Sequence, residues 1–342
     1  MKKILYIAAG LVFLITSCNT VPELKYFKLA GLAQGTSYHV TYGVPDSIDY
    51  QEQIDSLLRD FDLSLSSYDS ASIISRVNRN EKVELDEKFQ DVFAVARQVN
   101  EKSGGAFDIT IMPLVNAWGF GPGLKTDIEP EVIDSLLQFV GMDKVYIEDN
   151  HLVKENPGIS IDVNAIAQGY SVDLVALYLE KQGIENYMVE IGGEVKTKGL
   201  NPKGEIWKIG IDRPVYGNVI PGLQMQAIIK LNEKALATSG NYRKFYEEDG
   251  VKYSHSIDPK TGYPVKHSVL SATIIAENCM IADAYATACM VMGLEKAQEL
   301  ISDSEDLEAY IIYGDPEGQY QVWSSEGFKK YIVKESTEPV RK

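Results

Sequence analysis

Apolar residues at Ile54, Leu57, Leu58 and Phe61 recur at the spacing of one helix face, so residues 48–61 predict an amphipathic helix. The same test predicts helices over 89–99 and 130–140. A long helix over 165–182 ends at Gly183, a residue suited to the left-handed turn that closes helices. A more uniformly apolar helix over 281–292 is closed by Gly293 in the same way. Alternation through Tyr38-His39-Val40-Thr41-Tyr42 predicts strand within 26–42. Further strands are expected at 187–191, 207–211, 225–231 and 269–275, with closing strands at 309–313 and 320–323. Residues 144–153 predict a hairpin turning at Asp149-Asn150. Helices and strands are mixed without a regular strand–helix–strand alternation, which predicts an α+β fold. No internal repeat or low-complexity tract interrupts it, and the charged tail after Val333 is expected to be flexible.

The first residues follow a different rule. Lys2 and Lys3 precede an uncharged apolar run, 4–15, which leads through Thr16-Ser17 into Cys18. That run is too short for a bilayer core, which takes ~20 helical residues, and it fits the core of a signal peptide. The small residues before Cys18 resemble the lipobox of bacterial lipoproteins, which implies cleavage before Cys18 and acylation of its thiol. The expected layout is a signal peptide at 1–17, a lipidated linker at 18–25, one domain at 26–333 and a flexible tail at 334–342. The expected location is the bacterial cell envelope, outside the cytoplasm and anchored to a membrane.

Composition narrows the function. A formal charge of −16 leaves no basic patch to neutralise phosphates, so nucleic acid is excluded as a partner. It also argues against a broad electrostatic grip on anionic lipid, leaving the lipid on Cys18 as the attachment. The other two cysteines, Cys279 and Cys289, sit in apolar sequence and read as buried free thiols. The four histidines are scattered and no zinc-type spacing occurs, so any metal should be a hard ion held by oxygen.

Several stretches are richer in Gly, Asp, Ser and Thr than a generic core. Gln34-Gly35-Thr36-Ser37-Tyr38 is a strand start or a ligand contact. Ser66-Ser67-Tyr68-Asp69 is a helix break followed by a cap, or an aromatic platform for a planar ring. Ser103-Gly104-Gly105-Ala106-Phe107-Asp108 allows close backbone approach and offers an apolar face at Phe107 and an acceptor at Asp108. Asp162 to Tyr170 opens a helix, where free N–H groups favour phosphate and where Asp162 also suits a cap. His255 precedes the turn Asp258-Pro259-Lys260-Thr261-Gly262 as a surface histidine or an acid–base group. Asp283 and Thr287 share a helix face in apolar surroundings, where a carboxylate is costly unless paired or metal-bound. Together these features describe a nucleotide or flavin-nucleotide site with Mg²⁺, and they go no further.

At these residues the chain resembles the FAD:protein FMN transferase family, the ApbE-type lipoproteins. The likeness runs in order from Gln34 to Gly293. It takes in Ser103–Asp108 with Trp118-Gly119-Phe120-Gly121, the Asp162–Gly169 helix start and Ile191-Gly192-Gly193-Glu194. Ala237-Thr238-Ser239-Gly240, His255–Pro264 and Asp283 with Thr287 complete it. The resemblance implies one catalytic domain with largely antiparallel sheets. The implied reaction is Mg²⁺-dependent cleavage of FAD and attachment of FMN, through its phosphate, to a Thr or Ser of an acceptor flavoprotein of a membrane redox complex, with release of AMP. It implies FAD contacts at Gln34, Tyr68, Ala106, Phe107, Asp108, Asp162, Gln168 and Ile257. It also implies metal ligands at the Ala165 carbonyl, Asp283 and Thr287, and a base at His255. Gln168 stands where the family more often has Lys or Glu, Asn164 where Gly is common, and Gln34 where Met is common. A Mg²⁺-dependent FAD pyrophosphatase and a non-enzymatic FAD-binding lipoprotein are the alternatives.

Overall fold

The structure is a computed structural model, and it describes residues 24–46, 48–123, 128–214, 222–241, 245–248, 251–254, 256–317 and 319–336. Cys18, the segment 1–17 and His255 lie outside the described residues. Two strands, β1 (Lys25–Ala33) and β2 (Thr36–Val44), form the first hairpin. Four helices follow: α1 (Gln51–Leu65), α2 (Ile73–Asn78), α3 (Glu87–Lys102) and α4 (Met112–Ala117). Next come α5 (Pro130–Leu137), the hairpin β3 (Val145–Glu148) and β4 (His151–Lys154), and the long α6 (Asn164–Lys181). The chain continues through β5 (Tyr187–Ile191), β6 (Glu194–Lys198), β7 (Trp207–Asp212), β8 (Met225–Leu231) and β9 (Lys234–Gly240). A small hairpin, β10 (Phe245–Glu248) and β11 (Val251–Ser254), precedes β12 (Val269–Ala276), α7 (Cys279–Met292) and α8 (Leu294–Ser302). The last strands are β13 (Glu308–Gly314), β14 (Tyr320–Ser324) and β15 (Ile332–Glu335).

The main sheet has eight strands in the order β1-β2-β5-β6-β9-β12-β13-β14, every neighbouring pair antiparallel. Helices cover one face. Ala272 and Ile274 of β12 point into the same core as Ala282, Ala286 and Met290 of α7 and Phe89, Val92 and Val99 of α3. Their neighbour Ile275 points the other way, into a second core with Ile209, Ile211, Ile229 and Leu231 from the three-stranded sheet β15-β8-β7. The result is helices, large sheet and small sheet in three layers. Being covered on both sides explains why β12 is apolar almost throughout rather than alternating. α7 is buried nearly all round, and its run of alanines lets it lie close to both α6 and the sheet.

Turn chemistry sets the register. Gln34 and Gly35 close the first hairpin with φ of +54° and +74°, which matches the twist of the two strands. Asp149 and Asn150 do the same at the β3–β4 turn, with φ of +45° and +62°. Cys279 and Cys289 are buried free thiols, as expected. The tail departs from expectation. β15 runs beyond Val333 to Glu335, with Lys334 opposite Ile228 and Glu335 opposite Ala227 on β8, so the ordered fold continues past residue 333. No helix among the described residues is long and apolar enough to cross a membrane.

Candidate active site

The site begins where α6 and α7 touch. Gly169 is the point of contact: a Cβ there would lie 2.8 Å from the Asp283 Cβ and closer still to the Cys279 carbonyl. The gap lets the Gly169 N–H donate to Asp283 Oδ2 at 3.0 Å. Ala165 is the i−4 residue of that N–H in α6, so its carbonyl and the Asp283 carboxylate converge on the same donor. One turn along α7, the Thr287 hydroxyl shares a 3.0 Å hydrogen bond with Ser239 Oγ of β9. Asp283 is only 5% exposed. Burial pushes its carboxyl up to about 7, and the Gly169 bond offsets this only in part.

Among the described residues no cluster of three His, Cys, Asp or Glu gathers to hold a metal. One carboxylate, one hydroxyl and one carbonyl is instead the donor set of a hard ion that completes its shell with water and phosphate oxygens. A carboxylate buried this deeply fits that role, because a cation there offsets the cost of its charge.

Two further stretches are bonded to the segment leading into α6, one through backbone and one through a side chain. Asp162 N donates to the Ile109 carbonyl at 2.7 Å, and Ser160 bridges to Ile111, so the segment leading into α6 runs beside the one that follows Ala106-Phe107-Asp108. Asn78, at the end of α2, grips Ile161 from both sides, donating to its carbonyl at 2.9 Å and accepting from its N–H at 2.7 Å. Asp162 itself does not cap the helix as expected. α6 starts at Asn164 with Val163 in the cap position, and Asp162 Oδ1 accepts from the Asn164 N–H at 2.9 Å in a turn just ahead of it. Asp162 is buried, and burial holds its carboxyl above the usual range. Tyr68 stands near it and is 69% exposed.

The central triplet divides its tasks. Phe107 is 2% exposed and belongs to the helix-side core, so its ring anchors the loop rather than facing outward, while Ala106 and Asp108 are partly exposed. Asp108 accepts from Thr110 N (2.8 Å), Thr110 Oγ1 (2.5 Å) and Met142 N (3.2 Å). It also lines a cavity of about 340 Å³ with Asn100, Gly105, Gly141, Pro259 and Lys260. The turn after His255 therefore opens onto the same cavity as Asp108. Ile257 is buried in a small core with Leu114, Trp118 and Ile133, and Trp118 Nε1 donates to the Gly262 carbonyl at 2.8 Å. Like Phe107, Ile257 holds its loop from inside.

Gln34 reaches the other side of α6, where its Oε1 accepts from Ser171 Oγ at 3.2 Å. Its Nε2 is buried with no hydrogen-bond partner. The Gln168 amide lies against Gly192, in the space a Cβ there would need, and Thr36 flanks both. Gln34, Gln168, Asp162, Ala165 and Asp283 thus lie at the first turns of α6, and Thr287 follows Asp283 by one turn of α7, bonded to Ser239. The Asp108 stretch joins them through the backbone links of Asp162 to Ile109 and Ser160 to Ile111. Ser239 was legible only as part of a Thr-Ser-Gly stretch, because its partner Thr287 is far along the chain.

The fold is an α+β arrangement of three layers, with a buried carboxylate at the α6–α7 contact and a separate cavity lined by Asp108, Pro259 and Lys260. The ApbE family profile matches residues 34–311, and the chain belongs to that family. A relative named FAD:protein FMN transferase from Vibrio cholerae is 37% identical over 337 residues, covering 96% of this chain and 98% of its own length. One of the same name from Haemophilus influenzae is 37% identical over 347 residues, with 96% and 98% covered. Among solved structures, the flavin transferase ApbE from Vibrio cholerae superposes with a TM-score of 0.81 at 37% identity, over 90% of this chain and all of that one. The apo form of the Pseudomonas stutzeri flavinyl transferase ApbE gives 0.81 at 31% identity, over 92% and 98%.

Proposed function

We propose that this chain is a FAD:protein FMN transferase: it cleaves the FAD pyrophosphate and passes FMN to a Thr or Ser hydroxyl of an acceptor flavoprotein, releasing AMP. What supports this reading is the buried Asp283 of α7 bonded to the Gly169 N–H in the first turns of α6, with Thr287 one turn along α7, near the helix N-terminus where a phosphate group is favoured. Those three residues would hold Mg²⁺, which when bound supplies the charge neutralisation that a pyrophosphate needs.

The remaining roles fall to the chain's own groups. The Gln34 amide and the Asp162 turn orient the dinucleotide against α6, and Tyr68 offers an aromatic face. The acceptor oxygen forms the new bond to the FMN phosphorus as the bond from that phosphorus to the AMP oxygen breaks. The acceptor hydroxyl is a poor nucleophile until its proton is removed, the task we assign to His255. The acceptors we infer are flavoprotein subunits of membrane redox complexes. Lipid on Cys18, after removal of 1–17, would hold the domain at the same extracytoplasmic membrane surface.

The test is incubation with FAD, Mg²⁺ and a candidate acceptor, followed by in-gel flavin fluorescence. Covalent fluorescence on the acceptor that vanishes in Asp283→Ala supports the reading. Free FMN and AMP with no labelled acceptor, across several acceptors, would replace it with a pyrophosphatase.

A further inference from the structure

α7 lacks a cap of its own. Asn278, in the cap position, makes no side-chain bond to the helix start. The first two N–H groups of α7 instead donate to a residue of another helix: Cys279 N to Asp173 Oδ1 at 3.0 Å and Met280 N to Asp173 Oδ2 at 2.9 Å. Asp173 lies on α6, one turn beyond Gly169, on the same face. The exchange is therefore reciprocal. The Asp283 carboxylate of α7 receives the N–H of Gly169 on α6, and the Asp173 carboxylate of α6 receives the N–H groups at the start of α7. Gly169 and Asp173 are four residues apart, as are Cys279 and Asp283, so the two contacts clamp antiparallel helices at matching turns.

Lys196 of β6 completes the clamp, with its Nζ 2.9 Å from Asp173 Oδ1. Both side chains are largely buried, at 14% exposed for Asp173 and 19% for Lys196. A negative group at a helix start is favoured by the helix dipole, and here it is also supplied with a counter-charge. Gly169 permits the close approach, but a smooth small-residue contact does not by itself fix how far one helix slides along the other. Two carboxylates bonded to specific N–H groups do.

We propose that Asp173, held by Lys196, is a positioning residue: its capping of α7 sets the axial register of α6 against α7, and so the placement of Asp283 and Thr287 relative to the Ala165 carbonyl. This rests on the metal reading of that trio. Asp173 touches neither ligand nor metal ligand side chain, and its effect is carried by the helix it caps.

The test is titration of the metal-free full chain, purified in detergent, with Mn²⁺, reading free Mn²⁺ by electron paramagnetic resonance. Asp283→Ala serves as the reference. Asp173→Ala is expected to weaken Mn²⁺ binding by about 10–100-fold, the usual range for a lost outer-shell support. Asp173→Asn, which keeps an acceptor oxygen, should fall between this and the wild type, and Lys196→Met should weaken binding less than Asp173→Ala. Transfer activity should drop at limiting Mg²⁺ and recover at saturating Mg²⁺. Asp173→Asn and Asp173→Ala proteins that melt earlier yet bind Mn²⁺ with wild-type affinity would overturn the proposal, leaving Asp173 a stabilising cap only. Should Asp173→Ala not fold, Asp173→Asn decides by the same comparison. Undiminished Mn²⁺ binding in Asp283→Ala sinks the metal reading instead, a separate outcome.

Discussion

Asp283 carries opposing demands: the fold buries it, and the proposed chemistry needs it charged. Burial raises its carboxyl from an unfolded value near 3.8 to about 7. Between those values the folded chain holds a proton that the unfolded chain has lost. Its contribution to the stability of the metal-free protein is full below the lower value and is lost as pH rises through about 7. Asp283→Asn removes that dependence while keeping an oxygen for the Gly169 N–H. In chelator, the difference in Tm between Asp283→Asn and wild type should therefore grow in favour of the variant from pH 5 to pH 8. Added Mg²⁺ should raise the wild-type Tm at pH 8 and leave the variant unmoved. A difference that stays flat across that range would show that Asp283 titrates as an ordinary carboxylate. The same residue shows what was legible beforehand. A carboxylate and a hydroxyl one helical turn apart in apolar sequence announced themselves, whereas Asp173 and Lys196 did not, because an ion pair between separate elements leaves no local pattern. Phe107 and Ile257 stood out for their company, but their rings and chains turned inward, a choice that only the packing of the core decides.

Elements with one wet face were the readable ones. α1 and α3 show helical spacing because only one side is buried, and the β3–β4 turn was fixed by Asp149-Asn150. β6 and β9 were obscured because they carry Lys196, Thr197, Thr238 and Ser239, polar residues that bond respectively to Asp173 of α6, the Leu231 carbonyl of β8, Thr273 of β12 and Thr287 of α7. α2 was likewise hidden by its brevity, yet it positions the site, since Asn78 satisfies both backbone groups of the fully buried Ile161 just ahead of Asp162. Asn78→Ala leaves those two groups unmet, at about 1–3 kcal/mol each. The denaturant midpoint should fall with an unchanged slope, and FAD should bind more weakly because the α6 entrance is no longer held. Unaltered FAD affinity in a destabilised Asn78→Ala protein would confine the role of Asn78 to stability.

The whole molecule closes at its two ends in different ways. At the C-terminal side, Glu335 accepts from the hydroxyl of the fully buried Tyr310 at 2.6 Å, linking β15 to the central sheet. Truncation after Val333 removes that bond together with the last pairs on β8. It should cost about 1.5–3 kcal/mol, the worth of a hydrogen bond to a charged group, read as a lower denaturant midpoint. At the N-terminal side, β1 starts at Lys25 and runs to the Gln34 turn beside α6, a strand of roughly 30 Å at ~3.4 Å per residue. Residues 18–24, fully extended, span about 25 Å. A lipid on Cys18 would thus keep the site within about 55 Å of the bilayer and raise its effective concentration toward acceptors in the same membrane. Cys18→Ser should move the protein out of the membrane fraction and slow flavin attachment to a membrane-embedded acceptor. Attachment to the same acceptor domain cut free of its membrane segment should proceed at the wild-type rate, because the α6–α7 site is untouched. Equal slowing on both acceptors would instead mean that Cys18 supports the fold or the site, and the tether would lose its role.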